Sequence, residues 1–232
     1  MKREKRIVLG TRAVLAALIL TGCARPRMAA PSGLAAGSEI LEVADRGLAY
    51  GMLADESFRL GPFRIAEVDR KWEWSSSWSI SGFSKDRTTG GYKFQFVNGK
   101  STLVGKCATE QKETKVEFGP VRSDEYFAKL GCSCEAARRA ATLIIASTGQ
   151  AYAGTLTTSD GKYTVTSVHV TEGGGSRDAP AGYRAEGDGP LGAVDVLRPG
   201  RVWLKKGLDE GERAETSCLF AGLMLYLSPQ NP

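Results

Sequence analysis

The C-terminal stretch SCLFAGLMLYL, from Ser217 to Leu227, decides the fold of this chain. It is apolar almost all round, and a helix that is apolar on every side lies in a protein core or in a membrane. With about 11 residues it is too short to cross a bilayer, which takes about 20. Ser217 can cap its start and Pro229 marks its end, so the stretch predicts a buried helix. A buried strand is the alternative, but the Leu, Met and Ala content favours a helix.

The chain before this helix alternates apolar and polar residues with a period of two, which is typical of β-strands. Short strands are expected at 58–60 and 63–65, on either side of Gly61-Pro62. A longer strand is expected where Tyr92, Phe94 and Phe96 alternate with Lys93 and Gln95.

Three dipeptides between such runs predict hairpin turns. Asn98-Gly99 favours a type I′ turn, in which both central residues need positive φ. Asp160-Gly161 is a second dipeptide of this kind, and Pro199-Gly200 favours a type II turn. Three hairpins spaced along the chain indicate a meandering antiparallel sheet.

Two further segments complete the expected secondary structure. Apolar residues from Ile40 to Met52 recur every three or four positions after Ser38, which predicts a helix there. Residues 172–192 are rich in Gly, Ala and Pro and predict a long loop.

The sequence therefore predicts a mainly β fold, an antiparallel meander sheet or barrel curled around one buried apolar C-terminal helix. In the order of its elements this arrangement resembles the barrels of the tubby and phospholipid-scramblase families. No sequence motif of those families is present, so the resemblance concerns architecture and carries no lipid chemistry with it.

The N-terminus has the pattern of an export signal. A basic head from Lys2 to Arg6 precedes an apolar run, Ala13 to Leu20, which is too short to span a membrane and is typical of a signal peptide. The run ends in LTGC, Leu20 to Cys23, which resembles the lipobox of bacterial lipoproteins. That resemblance implies cleavage after Gly22 and a diacylglyceryl group on the Cys23 sulfur. A plain signal peptide with an incidental cysteine is the alternative.

These features divide the chain into a signal peptide (1–22), a lipidated Cys23 with a flexible tether (23–38) and one β-rich globular domain (39–232). Small residues and prolines after Cys23 are typical of a flexible tether. Position 24 is Ala, whereas Asp there usually retains a lipoprotein in the inner membrane of enteric bacteria. The resemblance thus implies a lipid-anchored protein of the bacterial cell envelope, at the outer membrane.

Charge excludes one class of partner. The net charge is +5, but five basic residues against Glu4 alone lie in residues 1–22, which leaves the rest of the chain at +1. A near-neutral domain lacks the basic surface that binds phosphate backbones, so no nucleic-acid partner is expected.

Four cysteines remain besides Cys23, and an even number in an exported domain predicts two disulfides. A bridge between Cys132 and Cys134 would close a very tight loop. We therefore expect Cys107 to pair with one of these two and Cys218 with the other. The spacing does not resemble a zinc motif, and no metal or other cofactor is expected.

The run KWEWSSSWSI provides the one candidate ligand surface. Trp72, Trp74 and Trp78 would share one face of a strand. Such a stripe usually lines a core, but it can also form a platform for sugar rings in a protein that faces the cell wall.

Catalytic signals are weak. His169 is the single histidine, no G-x-S-x-G motif precedes it, and no second histidine is available for a metal pair. GDGPLG, from Gly187 to Gly192, matches G-x-G-x-x-G by letter, but Pro190 removes an amide and a strand follows. The scattered acids form no motif for glycoside cleavage; they are Asp45, Glu56, Asp69 and Glu73.

The sequence thus predicts a non-catalytic binding or interaction module with no catalytic residues, anchored in the membrane by lipid, with an envelope protein or a glycan as partner. A structural or assembly lipoprotein with a protein partner is the second candidate, and a cell-envelope hydrolase the third.

Overall fold

The structure is a computed structural model that describes residues 25–34, 36–46, 56–80, 83–99, 101–118 and 121–226. Within the strands, the side chains of residues 71–74, 78–80, 83–86, 115–125 and 148 lie outside this description. The predicted lipid attachment site, Cys23, and the signal peptide 1–22 also lie outside the described residues.

Within the described residues, twelve antiparallel strands form one closed barrel, and one helix follows them. The strands are β1 (Ser38–Ala44), β2 (Phe58–Leu60), β3 (Phe63–Ile80), β4 (Phe83–Asn98), β5 (Ser101–Phe118), β6 (Val121–Ala136), β7 (Arg139–Thr148), β8 (Ala151–Thr157), β9 (Lys162–Val168), β10 (Gly182–Glu186), β11 (Pro190–Asp195) and β12 (Arg201–Lys205), and the helix is α1 (Glu210–Leu225).

The barrel is a meander in which each strand pairs with its sequence neighbours. It closes because β1 pairs with β12 on one side and with β2 on the other. Since an eight-stranded barrel is just filled by its own side chains, twelve strands leave room for a further element inside. The predicted mainly β fold around a C-terminal helix is therefore confirmed.

Helix α1 fills the barrel and forms the centre of the core. Leu219, Phe220 and Leu223 are at most 1% exposed, and they pack against inward residues of the surrounding strands. The helix begins seven residues before the predicted start, with Asp209 rather than Ser217 as its N-cap. The predicted start is too late because the first turns of the helix contain Glu212 and Glu215, which are buried although they are polar. No helix in the described ranges is both long and apolar enough to cross a membrane.

Both ends of α1 are satisfied by polar groups. The Asp209 carboxylate accepts hydrogen bonds from the backbone N–H groups of Gly211 (2.7 Å) and Glu212 (3.1 Å). At the other end, Arg46 donates to the Met224 carbonyl (2.5 Å) and Arg70 to the Leu225 carbonyl (2.8 Å). Because a helix carries partial positive charge at its start and partial negative charge at its end, both arrangements stabilise it.

The predicted helix from Ser38 is wrong in its described part, which forms strand β1. Leu41 and Val43 are buried, whereas Ile40 before them (47% exposed) and Glu42 between them are exposed, so the burial follows a period of two. The spacing of three and four residues that suggested a helix is also compatible with a strand. Pairing with β12 and β2 then decides the conformation. Residues 47–52 lie outside the description.

The predicted loop 172–192 is wrong at its C-terminal side, which contains β10 and the start of β11. Tyr183 and Ala185 are buried, and a side chain at Gly182 would collide with the Val194 carbonyl and the Met28 sulfur. Glycine and alanine are needed here because strands and the N-terminal segment approach closely. The letters of G-x-G-x-x-G form the β10–β11 turn and the beginning of β11.

The three predicted hairpins are present. Asn98 pairs with Ser101, so the first turn lies one residue later than the motif suggests, with Gly99 at a φ of 55°. The second connection has four residues between Thr157 and Lys162. The third has five residues between Asp195 and Arg201.

Both disulfides are present in the predicted form. Cys107 is bonded to Cys132 across the β5–β6 pair, and Cys134 is bonded to Cys218. The second bridge joins the barrel wall to the helix inside it, across a sequence separation of 84 residues.

Candidate functional site

The predicted tether, residues 23–38, lies against the barrel in its described part. We call residues 25–34 the strap. Met28 is fully buried, and the strap covers Trp203, which is 1% exposed on the outer side of β12. The Ala29 N–H donates to the Val170 carbonyl (3.0 Å) and the Glu172 N–H to the Arg27 carbonyl (2.8 Å). The composition of this segment predicted a flexible tether, but its one methionine, Met28, is buried, and the strap packs against the barrel.

Asp195 fixes the strap at the barrel rim. It is 1% exposed, and its carboxylate accepts hydrogen bonds from the Met28 N–H (3.1 Å) and the Leu197 N–H (2.9 Å). Burial raises the pKa of Asp195 to about 6, although both hydrogen bonds and the nearby Arg201 oppose the shift. A buried carboxylate thus holds the backbone of the N-terminal segment.

The chain leaves the barrel at a defined end. In a meander, alternate connections lie at the same end of the barrel, and Thr171, which bridges to Met28, belongs to the β9–β10 connection. The β3–β4 and β5–β6 connections lie at this end too. Residues 25–27 therefore lie at the end at which α1 finishes.

Four strands of the barrel continue beyond this end as an extension of the same sheet. We call residues 71–80, 83–90, 109–118 and 121–127, from β3 to β6, the arm. Its strands are seven to ten residues long, which corresponds to about 23–33 Å. The last residues of these strands that contact α1 directly come just before the arm. The Tyr92 hydroxyl donates to the Gly222 carbonyl (2.7 Å), and Arg70 donates to the Leu225 carbonyl (2.8 Å).

Solvent reaches both faces of the arm. Ser75, Ser76 and Ser77 are successive and all exposed, although side chains of a strand alternate between faces. Glu110 forms an ion pair with Arg87 on the neighbouring strand β4 (2.8 Å) and another with Lys112 on its own strand β5 (3.1 Å). Lys112 and then Arg87 hold the pKa of Glu110 below its usual range.

The outer edges of the arm have no strand beside them among the described residues. β2 pairs with β3 only at Phe63–Ile65, and β7 pairs with β6 only from Lys129 onward. The arm therefore presents two unpaired backbone edges, which are the surfaces on which sheets add further strands.

The tryptophan stripe lies on the β3 edge strand. Trp74 pairs with Thr89 and Trp78 with Lys85. The register shifts between Lys71 and Trp74, so Trp72 lies within a bulge that interrupts the regular alternation. The side chains of all three tryptophans lie outside the described residues, and a sugar platform there stays a prediction.

An acidic cluster lies at the opposite end of the barrel. Oxygen atoms of Asp160, Asp209 and Glu212 lie within 4.8 Å of one another, close enough to hold a metal ion. However, Arg139 lies 3.8 Å from Asp160 and 3.6 Å from Asp209, and Asp209 already caps α1. A guanidinium therefore supplies the positive charge that the carboxylates need, and we assign the cluster to helix capping.

Arg139 also reaches the fully buried Glu215 at 3.6 Å. The Glu215 carboxylate accepts hydrogen bonds from the Ser159 N–H (2.9 Å) and hydroxyl (2.7 Å). Next to it, the Tyr163 hydroxyl donates to Glu212 (2.5 Å), and burial together with this carboxylate raises the pKa of Tyr163 to about 12. These polar groups close the helix N-terminus, and two of them, Arg139 and Glu215, line a cavity of 320 Å³.

His169 lies beside a serine. Its Nδ1 is 2.9 Å from the Arg177 carbonyl, which can only accept, so Nδ1 carries the proton. Nε2 therefore accepts a hydrogen bond from the Ser167 hydroxyl, at 2.9 Å. The Ser167 oxygen in turn accepts the Tyr152 N–H (2.9 Å), which ties β9 to β8. Neither residue lines the cavity of 320 Å³ beside α1 or the groove of 560 Å³ on the barrel wall.

A shallow groove of 560 Å³ crosses the outside of β4 to β7. Its floor consists of small residues in one row, Gly91, Ala108 and Gly131, and it ends at Ile144, which is 52% exposed. The polar groups along it are exposed or half-buried, so they would remain hydrated beside a ligand.

The sequence did not single out Met28, Asp195 and Arg139, which position the strap and the helix. Each is a lone residue without a motif. Only the high apolar content around Asp195, in AVDVL, could have indicated a buried carboxylate.

Comparison with known proteins adds no relative: no family model, no curated protein and no solved structure matches this chain.

Proposed function

We propose that this protein is a lipid-anchored, non-catalytic interaction module of the bacterial cell envelope, in which the barrel presents the arm to a protein partner. The observation that carries the proposal is the arm itself. Four strands continue past the core for seven to ten residues, about 23–33 Å, and neither outer edge has a strand beside it among the described residues. Such edges bind extended segments by main-chain hydrogen bonds.

The filled barrel supports a role without a lumenal ligand. Helix α1 occupies the interior, and its buried residues include Leu219, Phe220 and Leu223. The binding surface is therefore expected on the outside, where the arm is the largest feature with exposed backbone edges.

The anchor is proposed from LTGC at Leu20–Cys23, and the docked strap supports it geometrically. Five residue steps separate Cys23 from the buried Met28, which span at most about 17 Å when fully extended. A lipid on Cys23 would therefore turn the arm end of the barrel toward the membrane, at the outer membrane as the sequence suggests, and the arm, which reaches farther than this tether, would lie along the membrane surface or enter it.

Two measurements test this function. Cys23→Ser should move the protein from the membrane fraction to the soluble fraction; a variant that still sediments with membranes would refute the anchor.

For the arm, a photo-crosslinking amino acid at Ser76 in the lipidated protein should give protein adducts in intact cells. The same group at Thr102, an exposed position on the barrel part of β5, is the control. Adducts that are absent at Ser76, or equally abundant at Thr102, would refute the arm as the interaction surface.

A further inference from the structure

We propose that the arm binds a second copy of this chain head to tail, with the β6 edge of one copy pairing antiparallel with the β3 edge of the next. The inference rests on the proposed function in one respect, because the lipid anchor would orient all copies alike. It names the partner that the proposed function leaves open.

The two edges run in opposite directions. β3 runs from the barrel to the tip of the arm, and β6 runs from the tip back to the barrel. Rotation about an axis along the strands places β6 of one arm beside β3 of another with antiparallel direction. The alternation of the four strands then continues from one copy into the next. Contact between two β3 edges in the same orientation would be parallel instead, and parallel pairing is slightly less stable.

The backbone groups needed for this pairing point outward at known positions. In an antiparallel sheet, successive residues direct their N–H and C=O groups to alternate neighbours. Ile80 pairs with Phe83 across a two-residue connection, where the closing pair is hydrogen-bonded. Counting back along the unbroken register, the backbone of Ser76 forms hydrogen bonds with β4. The backbone N–H and C=O groups of Ser75 and Ser77 face the free edge instead.

The same count applies to β6. The Ala128 N–H donates to the Ser147 hydroxyl (2.6 Å), which lies on β7, so Ala128 faces away from β5. Tyr126 and Asp124, two and four residues earlier, face the same way, toward the side on which no described strand lies.

The β3 edge lacks the residues that normally prevent strand addition. Native edges are blocked by charged side chains, especially Lys, by Pro or by short length. From Trp74 to Ile80, β3 contains no charged residue and no proline, whereas the β6 edge carries Arg122, Asp124 and Glu125, so only the β3 side of the proposed contact is free of blocking residues.

Membrane orientation restricts how copies can meet. Asp195 and the barrel rim hold Met28 at the arm end, so anchored copies stand the same way up. Copies related by rotation about the membrane normal form heterologous contacts, which close into rings when the rotation permits. Head-to-tail arms thus give a continuous sheet around a common axis.

The test measures the mass of the full lipidated protein in detergent, by light scattering coupled to size-exclusion chromatography. Ser77→Pro removes an outward N–H without removing a bond to β4, and the control Ser77→Val keeps that N–H. On the other edge, Asp124→Pro is matched with Asp124→Asn. We expect wild type and both controls to be multimers and each proline variant to be a monomer.

Mixing the two proline variants gives the decisive result. Each retains one intact edge, so an equal mixture should form a dimer with one β6–β3 contact. A monomeric wild type, proline variants that remain multimers, or a mixture that stays monomeric would each overturn the proposal. Asp124→Pro that assembles alone while Ser77→Pro does not would indicate β3–β3 pairing and would also overturn it.

A folding control keeps the result interpretable. The proline variants should melt within experimental error of their controls; if they do not, Ser75→Lys combined with Ser77→Lys replaces Ser77→Pro, since it keeps the N–H groups but adds charge to the edge. Membrane fractionation of Cys23→Ser is independent of these masses, so failure of the anchor and failure of edge pairing are distinguishable.

Discussion

The body of the barrel and the arm are built from the same strands, yet they differ in what lies beside them. In β4, Tyr92, Phe94 and Phe96 are buried against the core, whereas Arg87 to Gly90 are exposed or half-buried in the arm. The change occurs where α1 ends, at the row in which Tyr92 donates to Gly222. The length of the helix therefore sets the height of the core. The base of the arm still contacts that core through Tyr126 and through the hydrogen bond from Gln111 to Tyr226 (3.4 Å), whereas the strands beyond it rely mainly on their sheet neighbours.

The largest expected difference between the two regions comes from a buried charge. Leu223→Asp places a carboxylate among apolar side chains at a position that is 1% exposed. An unpaired buried charge costs about 3–5 kcal/mol, a large share of a typical stability of about 5–15 kcal/mol. Ser76→Asp in the arm, where the serine is exposed, should leave the unfolding free energy nearly unchanged. Guanidinium unfolding compares them, and equal midpoints would place α1 outside the core.

The core of the body was predictable because its signals are local. The alternation of Tyr92, Phe94 and Phe96 and the apolar stretch after Ser217 each follow from a few neighbouring residues. The start of α1 was not predictable, because Glu215 is buried only through Ser159 and Arg139, which are distant in sequence.

The arm and the strap were missed for a related reason. KWEWSSSWSI predicts a strand, and it is one, but a strand pattern does not reveal where the core beside it ends. Likewise Met28 is a single apolar residue among small ones, and its burial depends on Gly182 and Asp195 more than 150 positions away.

The two disulfides stabilise the body of the barrel and not the arm, because both lie in the body. In the chain-entropy model, the bridge from Cys134 to Cys218, with its separation of 84 residues, contributes about 4–5 kcal/mol. The bridge from Cys107 to Cys132, with a separation of 25, contributes about 3.5 kcal/mol. Replacing Cys134 and Cys218 with Ala should therefore destabilise more than replacing Cys107 and Cys132. Equilibrium unfolding measures both, and the reverse order would contradict the entropic argument.

Asp195 gives a prediction for the strap that depends on pH. Its pKa is raised from 3.8 to about 6 in the folded protein, mainly by burial. Between these values the folded protein retains a proton that the unfolded chain has lost, so stability falls as pH rises through this window. A shift of about two units corresponds to about 3 kcal/mol. Asp195→Asn should remove that decline. Unfolding free energies at pH 4 and pH 6.5 test it, and parallel profiles for the two proteins would be the contrary result.

Two arginines with similar ion pairs complete the comparison between body and arm. Arg139 lies 3.6 Å from Glu215, which is fully buried, while Arg87 pairs with Glu110 on the exposed arm at 2.8 Å. Arg139→Ala removes the guanidinium beside a buried carboxylate, and we expect a cost of about 1–3 kcal/mol, moderated because Arg139 itself is partly exposed. Arg87→Ala should give no measurable change in the thermal midpoint, since water and salt screen the exposed pair. Arg138→Ala, next to Arg139 and also exposed, controls for loss of charge at that turn. If Arg87→Ala proved as costly as Arg139→Ala, the arm would have to be packed against the body, and the distinction between the two regions would fail.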